Sequence, residues 1–167
     1  GVYELLPNEA LSRVMHANLS TVGGVTYTPE EKAFALKIAQ TVFGKPPAPE
    51  TAALIGAFSP NAPREGGGGS TDVGDVSWAV PTVGLRTATW VPGTPGHSWQ
   101  AVACGGTTIG LKGMNVAAKT MAGALIDYFT QPAVVTKAKA EFLERRGANF
   151  TYAALVGDRP PALNYRD

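Results

Sequence analysis

His97, in Pro95-Gly96-His97-Ser98-Trp99, is the residue whose type and setting best suit chemistry. Imidazole titrates near neutral pH and is the commonest metal ligand. Loops held by a rigid scaffold are where such side chains are disproportionately functional. Residues 66–111 around it carry formal charge only at Asp72, Asp75 and Arg86, and mix Gly, Pro and Trp with small hydroxyl residues. Glycine- and proline-rich loops beside short β-type runs suit a site lined by backbone. Two readings of His97 stand: a metal or catalytic role, or a histidine that hydrogen-bonds loop backbone.

Other residues offer weaker chemistry. Asp72 and Asp75, three apart, could share a helical face and hold a cation; equally, Ser70 and Asp72 could cap a helix. Gly66–Gly69 could cradle an anion with backbone N–H groups or be a flexible loop, and it is not a Walker loop because no Gly-Lys-Ser/Thr follows. Cys104, seven residues beyond His97, could form a Cys-His nucleophilic pair or be a small buried apolar residue in AVACGG. His16, between Met15 and Ala17, reads as a surface or satisfied core histidine.

The elements that must position these groups follow from local pattern. Val2–Leu6 reads as a short strand, and Asn8 as the N-cap of a helix over about 9–21 that closes at Gly23-Gly24. Thr28-Pro29-Glu30-Glu31 combines a capping box with proline at N1; Phe34, Ile38 and Val42 share the face of a helix stopped by Gly44. Residues 45–65 are Pro-rich and irregular. Structured sequence resumes directly after GGGGS, which favours a natural active-site loop over a linker. Val83–Val91 alternates as a β-strand, with Leu85, Thr87 and Thr89 against Arg86, Ala88 and Trp90. Gly105–Phe129 reads as a long small-residue helix. The next helix begins at Pro132, turns Val135, Ala138 and Phe142 inward, and ends at Gly147. Phe150–Val156 reads as a closing strand.

Composition bounds the function. At 167 residues, 44% hydrophobic and 16% charged, the chain is long enough for one packed domain. Its scarcity of charge implies that something else, such as the rest of a longer protein, covers part of the surface. Fourteen basic and 13 acidic residues give net charge +1, and no basic cluster exceeds Arg145-Arg146. Electrostatic binding to nucleic acid or an anionic membrane is unsupported. A single cysteine excludes an internal disulfide and a thiolate zinc cage, and fits a reducing, cytoplasmic setting. No apolar run suits a bilayer span. The chain opens on Gly1 and shows no signal-peptide pattern, so it reads as a piece of a longer protein.

The blocks GGGGSTDVGDVSW, VPTVGLRTATWVPGTPGHSW, GLKGMNVAAKTMA and GDRPPALNYR resemble the C-terminal part of aminobenzoyl-glutamate hydrolases, within the aminoacylase/carboxypeptidase-type family of zinc metallopeptidases. The resemblance implies an α/β fold, part of a mixed sheet flanked by helices. Residues 1–8 would be the end of the lid-domain connection and 9–167 the C-terminal part of the catalytic domain. The family site holds two zinc ions that activate water and polarise the scissile carbonyl. By that resemblance His97 is one metal ligand, and Gly67, Gly68, Gly69, Ser70, Thr71 and Asp72 line the substrate pocket. Asp75 and Trp78 would support that loop rather than bind metal. The implied activity is hydrolysis of an N-acyl or aminobenzoyl amide of an amino acid such as glutamate.

The family's other ligands, a His-x-Asp motif and a Glu-Glu pair among them, come from an N-terminal half that this chain lacks. A catalytic zinc needs three protein ligands. The expectation is therefore an incomplete site, inactive until the N-terminal half of the catalytic domain joins it, with homo-oligomerisation through exposed apolar faces. The rival reading is a non-catalytic structural or dimerisation module that keeps half the fold.

Overall fold

A computed structural model describes residues 1–60 and 71–164 of the chain. Six α-helices and one 3₁₀ turn follow in order: α1 Glu9–Val22, α2 Pro29–Ala39, the 3₁₀ turn Pro49–Ala53, α3 Val73–Ala79, α4 Trp99–Gly105, α5 Thr108–Thr130 and α6 Pro132–Arg146. The long helix α5 is the centre: α1, α4 and α6 all pack on it.

Helix α1 starts where Asn8 dictates. Its Oδ1 accepts from the Leu11 amide at 3.1 Å, while Nδ2 donates to the Ala138 carbonyl of α6 at 2.8 Å. Two more unpaired amides of the first turn, Glu9 and Ala10, donate to the Glu141 carboxylate at 2.7 and 2.9 Å. A neighbouring helix therefore finishes the cap. Ala10, Leu11 and Met15 are buried, and Gly23 ends the helix at φ 83°.

Helix α2 carries the full capping box expected of Thr28 and Glu31, with Pro29 at its start. It ends at Ala39, short of Gly44, because the Thr41 and Val42 amides turn back to the Ile38 and Ala39 carbonyls. The long helix expected over 105–129 is two helices. Thr107 stands extended between them and its hydroxyl donates to the Cys104 carbonyl at 2.6 Å. Helix α6 buries Ala138 and Phe142, but Val135 lies exposed rather than inward.

The expected α/β architecture is corrected: the described residues contain helices and no strand. A strand is made by pairing, and neither extended stretch finds a partner strand. Residues 1–6 lie along α3, where the Tyr3 and Leu6 amides donate to the Asp75 carboxylate and the Ser77 hydroxyl, and the Trp78 indole donates to the Glu4 carbonyl. Their backbone is satisfied by side chains. Residues 83–91 run across α5, touching it at Gly113, where an added Cβ would sit 2.5 Å from the Ala88 oxygen. Residues 150–156 carry no strand either.

The principal core gathers Tyr27, Ala35, Ile38, Val91, Cys104 and Ile109. A row of apolar side chains on α5, including Leu111, Met114, Met121 and Leu125, stays exposed. No described helix is long and apolar enough to cross a membrane.

Candidate functional site

The loop around His97 is built by the start of α4. Ser98 Oγ donates to the Pro95 carbonyl at 2.7 Å and accepts the Ala101 amide at 3.2 Å, so one hydroxyl closes the turn and caps the helix. Gln100 ties α4 to the end of α2 through the Thr41 carbonyl, 3.2 Å away. His97 lies between these anchors at φ 55°, the one positive φ outside glycine among the described residues. That left-handed conformation costs a β-carbon residue energy, and such positions cluster at functional sites. The ring is exposed and bonds to no described residue, so the backbone-bonding reading of this histidine finds no partner here.

The other anticipated site residues separate. Gly67, Gly68, Gly69 and Ser70 lie outside the described residues, as does Gly66. Thr71 and Asp72 are exposed at the start of α3. Asp72 occupies the N-cap position without a side-chain cap bond, and Thr71 Oγ1 instead accepts the Val73 amide at 3.3 Å. Asp75 is committed elsewhere: one oxygen takes the Tyr3 amide at 3.3 Å and the other the Tyr152 hydroxyl at 2.9 Å. That bond raises the Tyr152 pKa, since the neutral phenol is the better donor to a carboxylate. Asp72 and Asp75 therefore do not act as a pair. Asp75 and Trp78 brace residues 3–6 and an aromatic cluster of Tyr3, Trp78, Phe150 and Tyr152.

Cys104 is fully buried in the core. A thiol sealed from solvent cannot attack a substrate, so its place is that of a packing residue. His16 stacks on Phe58, centroids 5.5 Å apart, at the edge of a surface cavity.

One polar centre had no local signature. The buried Glu31 accepts from Thr108 Oγ1 at 2.6 Å, from Lys112 Nζ and from its own capping partner, the Thr28 amide. These bonds, Lys112 foremost and against the opposing effect of burial, hold its pKa at about 2. Nearby, burial above all pushes the Tyr27 hydroxyl up to about 12, with Cys104 and Glu31 adding to the effect. The capping box was readable at Glu31; its pairing with Lys112, 81 residues away, was not.

Among the described residues no three His, Cys, Asp or Glu side chains converge as a metal site. One exposed histidine falls short of the three protein ligands a catalytic zinc requires. The residues present do not by themselves fit a zinc centre.

Comparison with known proteins defines the class. No family model matches the chain, and no solved structure matches it. The chain is nonetheless an aminobenzoyl-glutamate hydrolase-like protein, as its sequence blocks implied. The relative that shows this is a p-aminobenzoyl-glutamate hydrolase subunit of Escherichia coli (strain K12), 33% identical over 157 residues. That match covers 81% of this chain but 33% of the relative, so the chain spans about one third of the relative's length.

Proposed function

We propose that this chain is the C-terminal portion of a zinc-dependent hydrolase that cleaves the amide of an N-acyl or aminobenzoyl amino acid such as aminobenzoyl-glutamate. The similarity to the E. coli hydrolase subunit carries this reading. Residues 9–167 belong to the catalytic domain, and 1–8 lead into it from a lid. His97 supplies one metal ligand, and the stretch from Gly67 to Asp72 lines the substrate pocket. The exposed ring of His97, held at a conformation only its loop imposes, supports the first assignment. The exposed Thr71 and Asp72 are consistent with the second.

The remaining ligands come from polypeptide outside this chain, so the chain alone neither holds zinc tightly nor hydrolyses amides. Its partner is the N-terminal half of the catalytic domain, with homo-oligomerisation of the completed protein. The test is zinc content and p-aminobenzoyl-glutamate hydrolysis, measured on the chain alone and on the completed polypeptide. Activity and zinc that appear only on completion, and that His97→Ala removes, support the reading. Stoichiometric zinc on the isolated chain overturns the incomplete site; a completed protein indifferent to His97→Ala overturns the ligand. Folding and association without hydrolysis would favour a non-catalytic dimerisation module.

A further inference from the structure

A cavity of about 490 Å³ opens between two extended stretches, residues 54–56 and 86–92. Val25, Val91 and Val116 give it an apolar floor, and Arg86 and His16 lie among its lining residues. Its walls are unusual in their backbone. The amides of Arg86, Thr87 and Ala88 donate to no carbonyl of a described residue, and neither do those of Ile55 and Gly56. Thr94 Oγ1, another lining atom, is buried without a hydrogen-bond partner among the described residues. Backbone groups in sheltered places are nearly always paired, and a row of unpaired ones is a template for another chain.

Charge narrows the occupant. Arg86 forms no ion pair with a described residue, and no Asp or Glu lines the cavity. The size alone would also admit a small molecule. Such sites, however, use a few convergent polar side chains, whereas this wall presents consecutive main-chain groups in extended form. The geometry points to this cleft as the seat of an extended polypeptide segment that pairs main chain to main chain with residues 86–88. The segment is apolar toward Val91 and Val116, carries a carboxylate toward Arg86, and comes from the part of the hydrolase that this chain does not span. Its source rests on the proposed function; the slot itself rests on the unpaired amides and the uncompensated arginine.

The experiment probes the full chain with short overlapping synthetic peptides that cover the region of the E. coli relative outside the match. Fluorescence anisotropy reads binding, and hydrogen exchange reads the amides of residues 86–88. The expected result is one bound peptide with alternating apolar residues and an acidic one, which slows exchange of those amides. Arg86→Glu weakens its binding by about tenfold or more, and exchanging the peptide's acidic residue for Lys restores binding to that variant. Unchanged helical circular dichroism shows that the exposed substitution leaves the fold intact. Failure of every peptide to bind, binding without protection at 86–88, or indifference to Arg86→Glu overturns the slot. Protection of the same amides by p-aminobenzoyl-glutamate alone overturns it in favour of a small-molecule site. Hydrolysis by the completed protein is read separately: peptide binding with no hydrolysis sinks the proposed activity but not the slot, and the reverse sinks only the slot.

Discussion

Lys112 of α5 closes on Glu31 of α2 across 81 residues of sequence, and its ammonium also donates to the Thr26 carbonyl at 3.0 Å. One buried carboxylate thus caps its own helix and fastens that helix to the centre of the molecule. Removing one partner of a sheltered pair strands the other, so Glu31→Gln is expected to cost about 2 kcal/mol at neutral pH. The folded pKa, about 2, lies below the ordinary 4.5. The ionised form's contribution is therefore complete above about 4.5 and lost as pH falls from there toward 2. Denaturant titrations of wild type and Glu31→Gln should show a stability gap that is constant near neutrality and narrows over that interval.

Asn8→Ala removes both the cap of α1 and the only side-chain donor to the Ala138 carbonyl among the described residues. Loss of the cap together with an orphaned buried carbonyl should cost about 2–3 kcal/mol. Asn8→Ser, which can still cap but cannot reach α6, should fall between. Chemical denaturation of the three proteins checks the order.

Gly113→Ala places a methyl against the Ala88 carbonyl and the Thr89 Cα, at 2.5 and 2.8 Å, where no flexible side chain can yield. The expected loss is about 1–3 kcal/mol. Gly105, at the end of α4, faces open space, so Gly105→Ala should instead be neutral or stabilise by up to about 1 kcal/mol. Thermal melts of the two variants should move in different directions.

His97→Gly relieves a left-handed conformation and loses no hydrogen bond to a described residue. It should leave the chain at least as stable as wild type by thermal melt, while zinc binding by the completed protein falls. A clear loss of stability would show that the ring serves packing instead.

Cys104 is fully buried in the core. A thiol reagent should leave it untouched in the folded chain and modify it fully in denaturant, as followed by mass spectrometry. Rapid labelling of the folded chain would reopen a nucleophilic role.

What was legible in the sequence was local. Asn8, the run Thr28-Pro29-Glu30-Glu31 and Gly147 mark helix ends because the groups they satisfy lie within a turn. The alternation of residues 83–91 correctly signalled extended backbone, but pairing depends on a second chain segment that pattern does not encode, and no described residue provides it. The same holds for Glu141, which caps α1 from more than 130 residues away. At the site, the Pro and Gly around His97 announced an unusual loop; the distribution of Asp75 to Tyr3 and Tyr152 had no precursor in spacing.

The contact between Gly113 and Ala88 sets the level of residues 86–90 by backbone resting on backbone, with no side chain between them. Side chains around it can exchange for others of similar bulk, and the wall of the cleft will stay where it is. A single methyl at Gly113 would lift it. Drift elsewhere in the core would thus leave the shape of this wall intact, while the smallest possible change at one position would alter what can lie against it.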